Sequence, residues 1–252
     1  MAVPSAAFSS VLDAIAKVRQ LEHVTWATKG LDHGSSRLLS ELVVEAFPSM
    51  QAMALIAGPS FAKEVAEGVP SALTVASTQS KQASLWCEML CADDFQAVPS
   101  DDIIGVQIAS AVKNVIAIAS GIVDGMGHGA NTRCALITQG LAEMKALAIA
   151  LGAKEATFMS LAGIGDLMLT ATDDQSRNRR FGLALGRGQL ADEAEAEIRQ
   201  VVEGRETCLR VAELAKRYQV AMPIVETLDQ LFKGQRVLAD FSPLWFMPPT
   251  NH

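Results

Sequence analysis

Up to about residue 100, short runs of apolar or β-branched residues alternate with stretches of helical periodicity. HVTWAT (23–28) precedes a helix pattern at 35–46, MALIA (53–57) precedes FAKEVAEG, ALTVAS (72–77) precedes a helix pattern at 80–91, and FQAVPS (95–100) ends the series. Alternation of this kind predicts a mostly parallel sheet flanked by helices. The opening AVPSAAF reads as the end of a strand running into a helix, as though the first elements of a sheet were missing. Beyond Asp102 the strand signals nearly vanish. Helical patterns follow at 103–123, 133–151, 190–202, 205–217 and 223–233, with Gly-rich stretches such as DGMGHGANT (124–132) as loops between them. The predicted fold class is therefore α/β, an α/β domain followed by an all-helical one.

Composition narrows the chemistry. The chain has 252 residues, 50% hydrophobic and 19% charged, which is enough apolar material for a sizeable core. Its formal net charge of -7, with no long basic stripe, argues against nucleic-acid binding, which needs phosphate neutralisation along a positive surface. Cys87, Cys91, Cys134 and Cys208 are scattered, with no C-x-x-C pair and no His partner at zinc-ligand spacing. No metal site and no disulfide framework is predicted, and a reducing cytoplasm fits. The N-terminus lacks a charged n-region and carries Asp13 among its apolar residues, so it does not read as a signal peptide.

Four clusters carry candidate chemistry. IIGVQIASAVKNVIAIASGIV (103–123) is apolar nearly all round apart from Lys113. That lysine either snorkels from a buried helix or sits in a low-dielectric site where desolvation lowers its pKa and lets it exchange a proton with substrate. Asn114 beside it could orient an oxygen. Membrane insertion is not expected, because Gln107, Lys113 and Asn114 near the middle of the stretch would be costly in lipid. In LIAGPSFAKE (55–64) a strand ends at Gly58, Pro59 fixes a turn, and Ser60 stands where a helix starts. It is either an ordinary capped turn or a ligand-facing edge of an open α/β sheet. WATKGL (26–31) ends a strand at Lys29 and Gly30 in the same way, and the topology would bring both strand ends to one edge. In LAGIGDLMLTATDDQSRNRRFG (161–182), Asp166 follows a Gly163-x-Gly165 turn and Thr170 lies four residues on, on the same helical face. Arg177, Arg179 and Arg180 follow, with Ser176 and Asn178 among them. These arginines either pair with nearby carboxylates on a solvated face or form an anion site, since guanidinium forks match phosphate oxygens.

A dinucleotide-binding α/β domain normally opens with a strand, a G-x-G-x-x-G turn and a helix whose N-terminus holds the pyrophosphate. Nothing here has that spacing. GMGHGA fails at its last glycine and lies among helices.

GPSFAKE, SAVKNVIAI, DGMGHGANTR, GLAEM, GIGDLMLTATDDQSRNRRFG and VVEG, in this order, resemble the bacterial-type NAD(P)-dependent glycerol-3-phosphate dehydrogenase family from about Val3 to about Val237. D-L-x-L-T followed by S-R-N-R-R-F-G, with V-K-N-V upstream, makes the set highly specific. The resemblance implies a partial Rossmann-type parallel sheet followed by an all-helical C-terminal domain: residues 1–102 as the remainder of the dinucleotide-binding domain, without its first strands and glycine-rich turn, and 103–240 as a helical substrate and catalytic domain. The end of the chain, 241–252, reads as a divergent tail.

It further implies reversible hydride transfer between NAD(P)H and dihydroxyacetone phosphate, giving sn-glycerol 3-phosphate for phospholipid synthesis in the cytoplasm. By the same resemblance Lys113 is the catalytic acid/base, and Asp166 binds substrate and pairs with it. Lys29, Gly58, Ser60, Asn114, Thr170, Ser176, Arg177 and Asn178 join Lys113 and Asp166 at the substrate. Lys29, Ala62, Arg177, Val201 and Glu203 contact the cofactor. The partner is a small phosphate substrate, with a homodimer possible. The second hypothesis is a truncated, non-catalytic remnant that binds a phosphate ligand or a partner subunit only.

Overall fold

The computed structural model describes residues 1–238; the predicted tail at 241–252 lies outside them. Four strands form one sheet in the order β1 (His23–Trp26), β2 (Ala52–Ala57), β3 (Ser71–Ser77) and β4 (Phe95–Ser100). The pairs β1–β2 and β3–β4 are parallel, whereas β2–β3 is antiparallel, so the sheet is mostly but not wholly parallel. The helices in this part are α1 (Ser5–Val18), α2 (Leu39–Ala46), α3 (Ala62–Ala66) and α4 (Ser80–Leu90). Seven more follow: α5 (Ile103–Gly125), α6 (Ala130–Ala150), α7 (Asp166–Thr172), α8 (Arg177–Gly186), α9 (Ala191–Ile198), α10 (Glu203–Arg217) and α11 (Pro223–Phe232). A 3-10 turn at Glu155–Met159 and a π-helical turn at Leu161–Gly165 precede α7.

Packing divides the described residues into two compact units, Met1–Ser110 with Ala148–Asp166, and Ala111–Leu147 with the described residues from Leu167 onward. These units do not follow the boundary read from the sequence at residue 102. Helix α5 begins in the first unit and continues into the second, and 148–166 belong to the first.

In the first unit both faces of the sheet are covered. Val24 and Trp26 of β1 and Leu55 and Ala57 of β2 pack with Phe8 and Leu12 of α1, Leu39 and Val43 of α2, and Ile103 and Val106 at the start of α5. On the other face, Ala54, Leu73 and Val75 pack with Cys87, Trp86 and Leu90 of α4. The helix pattern predicted from residue 35 starts only at Leu39, because the preceding residues form a turn around Asp32, whose carboxylate accepts from the Ser35 N–H (2.9 Å) and hydroxyl (2.7 Å) and from Ser9. Gln107, polar and 2% exposed, is fully used: its amide donates to Ser40 Oγ at 2.8 Å and accepts from the Ser40 N–H at 3.0 Å, holding the first turn of α2. Asp102 starts α5 by accepting the Gly105 N–H at 2.9 Å and also takes the Lys154 N–H at 2.9 Å and the Thr157 hydroxyl.

In the second unit, glycines set the closest approach. Gly121 and Gly125 of α5 face Gly182 and Gly186 of α8. A Cβ on Gly182 would lie 2.0 Å from the Ile118 carbonyl oxygen, and one on Gly121 would lie 2.1 Å from the Arg179 carbonyl oxygen. The two backbones touch where no side chain fits. Although α5 is long and apolar enough to cross a membrane, 94% of its most apolar window is buried inside the protein. Helix α10 buries Gly204, Thr207, Cys208, Val211, Leu214 and Ala215, a spacing of three and four, with acidic residues in its first turn and Lys216 and Arg217 in its last. The pattern read at 190–202 ends early: Arg199, with φ 53, stops α9 after Ile198.

Glu143 of α6, 2% exposed, caps α11 by accepting the Ile224 N–H at 3.0 and 3.2 Å. Burial pushes its carboxyl up to about 7, against the opposing pull of the hydrogen bonds from Ile224, Gln139 and Val225.

Two outcomes follow from this packing. Replacing Gly182 with Ala should lower stability in urea denaturation by about 3 kcal/mol, the cost of overpacking against fixed backbone; an unchanged midpoint would show that α5 and α8 can part freely. For Glu143, the folded carboxyl is raised from 4.5 to about 7, so the stability it contributes is present below about 4.5 and lost as pH rises through about 7. Between those limits the native protein should lose about 3 kcal/mol relative to Glu143→Gln, whose stability lacks this component. Parallel pH profiles for the two proteins would contradict the assignment.

Candidate active site

In the first unit, β1 and β2 run parallel with Trp26 opposite Leu55, so the segments that follow them leave the sheet at the same edge. Each turns on a glycine in the left-handed region, Gly30 at φ 109 and Gly58 at φ 147. A Cβ on Gly58 would lie 2.9 Å from Leu73 Cα on β3, so only glycine lets the chain turn there. Ser60 does not cap a helix as its position suggested: α3 starts at Ala62 after Phe61, and the Ser60 hydroxyl donates to the Gly58 carbonyl at 3.3 Å. The helix after the strand starts one residue too late for Ser60 to be its N-cap.

Lys29, half-buried, lies with Nζ 3.9 Å from Oδ2 of Asp166, whose side chain is 1% exposed. Asp166 begins α7, where a carboxylate is favoured by the helix dipole. The turn delivering it is tight, for a Cβ on Gly163 would lie 2.5 Å from the Thr157 carbonyl oxygen. The edge of the first unit thus gathers Lys29, Gly58, Ser60 and Asp166. Ala62 is the exposed first residue of α3.

In the second unit Lys113 is 4% exposed, and its Nζ donates to Thr170 Oγ1 at 3.1 Å. Ser120, two turns along the same face of α5, donates to the Ala171 carbonyl at 2.6 Å and so holds the end of α7 beside this lysine. Nothing in the sequence singled out Ser120, although its spacing of seven from Lys113 is a detectable signal.

The arginine cluster divides by burial. Ser176 caps α8, accepting the Arg179 N–H at 3.2 Å. Asn178 Oδ1 accepts the Gly204 N–H at 2.9 Å and so satisfies the first turn of α10, behind exposed Val201 and half-buried Glu203. Arg179, 7% exposed, is held by Asp124 at 2.7 Å and Asp174 at 2.8 Å. Arg177 and Arg180 are exposed and make no ion pair among the described residues. Arg179 is thus a structural cation, whereas Arg177 and Arg180 stay exposed. All four cysteines are free thiols, and among the described residues no group of three His, Cys, Asp or Glu could hold a metal ion.

Residues 1–83 match the N-terminal region, and residues 102–241 the C-terminal region, of NAD-dependent glycerol-3-phosphate dehydrogenase. The chain belongs to the NAD-dependent glycerol-3-phosphate dehydrogenase family. It is 49% identical over 234 residues to the Glycerol-3-phosphate dehydrogenase [NAD(P)+] of Legionella pneumophila (strain Paris), covering 93% of this chain and 70% of that protein. The Haemophilus ducreyi protein of the same name is 50% identical over 231 residues, 91% of this chain and 69% of its own length. Among solved structures, glycerol-3-phosphate dehydrogenase from Coxiella burnetii superposes with a TM-score of 0.89 at 42% identity, covering 96% of this chain and 73% of that one.

Glycerol-3-phosphate dehydrogenases are NAD(P)-dependent oxidoreductases with a Rossmann-type cofactor domain and a phosphate-bearing small-molecule substrate. Family membership supports the oxidoreductase reading over that of a non-catalytic remnant, the chain spanning about 70% of the length of the relatives it matches. The residues present fit a dinucleotide: two neighbouring strand ends turn on positive-φ glycines at the sheet edge where open α/β folds take such ligands.

Proposed function

We propose that this chain interconverts dihydroxyacetone phosphate and sn-glycerol 3-phosphate, with Lys113 as acid/base, residues 1–102 as part of the dinucleotide-binding domain and 103–240 as the substrate domain. The observation that carries the reading is Lys113 itself, a nearly buried lysine in an otherwise apolar helix, its Nζ donating to Thr170 Oγ1 at 3.1 Å. Buried ionisable side chains of this kind are where acid/base function concentrates.

Reduction adds a hydride to the carbonyl carbon and a proton to its oxygen; NAD(P)H, when bound, supplies the hydride. Lys113 Nζ gives up the proton as the carbonyl oxygen becomes an alkoxide, and takes it back from the hydroxyl in oxidation. Thr170 fixes the Nζ direction, and Asn114, 5% exposed, offers an amide to a substrate oxygen. Asp166 binds substrate and, with Lys29, balances charge at the sheet edge; Gly58 and Ser60 offer it backbone and hydroxyl contacts.

The substrate phosphate lies at the first turn of α8, where Ser176, Arg177 and Asn178 meet a helix N-terminus. Lys29, Ala62, Arg177, Val201 and Glu203 contact the cofactor. We read the product as feeding glycerophospholipid synthesis in the cytoplasm.

Lys113→Ala should abolish NADH oxidation by dihydroxyacetone phosphate while sn-glycerol 3-phosphate binding weakens only modestly; appreciable turnover by that variant would remove Lys113 from the chemistry. Arg177→Ala should weaken sn-glycerol 3-phosphate binding in calorimetric titration by about 2–4 kcal/mol, through loss of a charge-assisted partner. An unchanged Kd would end the phosphate assignment.

A further inference from the structure

Arg179 stands two residues from Arg177 but faces the protein. Its Nε donates to Asp174 Oδ1 at 2.8 Å and its Nη1 to Asp124 Oδ2 at 2.7 Å, with 9% of the side chain exposed. Asp124, at the end of α5, is shared: Arg133 of α6 donates to both of its oxygens at 2.9 and 2.8 Å. The Arg179 backbone is fixed as well, its N–H by the Ser176 hydroxyl and its carbonyl by contact with Gly121.

One carboxylate therefore ties α5, α6 and α8 together at the turn carrying Ser176, Arg177 and Asn178. Its neighbour Asn178 is tied in turn to α10 through Gly204. With two carboxylates against it, Arg179 has little charge left to offer an anion.

We infer that Arg179 and Asp124 form a positioning pair, which aims the first turn of α8 at the substrate phosphate without touching it. This rests on the reading of Ser176 and Arg177 as the phosphate site. The guanidinium is required because its planar fork reaches two carboxylates at once, which an ammonium on a flexible stem cannot reproduce.

The pair makes an electrostatic prediction run backwards. Asp124→Asn removes a negative charge near the site, so simple attraction would tighten phosphate binding, whereas loss of positioning weakens it.

The test is calorimetric titration of the purified chain with sn-glycerol 3-phosphate, comparing the unmodified protein with Asp124→Asn, Arg179→Lys and Arg177→Ala. Kd reports the geometry of the site and stoichiometry the folded fraction. Misalignment of binding groups can cost one to two orders of magnitude, so Asp124→Asn and Arg179→Lys should each weaken Kd by roughly tenfold or more at unchanged stoichiometry. Kd equal to or tighter than that of the unmodified protein, or a fall in stoichiometry alone, overturns the positioning role. Unmodified affinity in Arg177→Ala, or no binding by the unmodified chain, instead overturns the phosphate reading on which it rests.

Discussion

The backbone contact between α5 and α8 is the constraint from which the second unit follows. Gly121 and Gly125 on one helix and Gly182 and Gly186 on the other leave no room for a Cβ, so the helices meet at main-chain distance. Because they meet there, Asp124 at the end of α5 falls within 2.7 Å of Arg179 in the first turn of α8. Four small residues thus decide which arginine of a dense cluster is buried and neutralised, and which stay exposed.

The same helix carries Lys113, the proposed acid/base. Lys113 and Ser120 lie two turns apart on one face of α5, and each meets α7, Lys113 at Thr170 and Ser120 at the Ala171 carbonyl. Three of the polar side chains that α5 buries meet a partner in their own unit: Gln107 at Ser40, Lys113 at Thr170 and Ser120 at Ala171. An unpaired polar group inside an apolar helix would cost more than the contact it displaces, and these three contacts remove that cost while α5 remains apolar enough to form a core.

Much of this was legible in the sequence, and the gaps have physical causes. The strands at 23–28, 53–57, 72–77 and 95–100 announced themselves as short apolar or β-branched runs, and the helices after residue 203 through the periodicity of one buried face. The antiparallel turn of β3 did not, since a five-residue helix between two strands reads like the start of a crossover and only pairing reveals its direction. Helix α8 was hidden by its own charge: SRNRR reads as a surface cluster until Asp124 and Asp174 take up Arg179. Its start was nonetheless signalled by Ser176, a residue type that favours N-caps. The glycine spacing 121/125 and 182/186 was also present, but its meaning depends on which two helices meet. At Ser60 the turn was legible but the start of α3 was not.

The central claim is that the substrate phosphate is held at the first turn of α8. A crystal structure of the protein with bound sn-glycerol 3-phosphate tests it most directly. The account predicts phosphate oxygens within hydrogen-bonding distance of the Ser176 hydroxyl and the Arg177 guanidinium, with Arg179 still on Asp124. Phosphate bound at Arg180 alone or at Lys29, with Arg177 left in solvent, would contradict it.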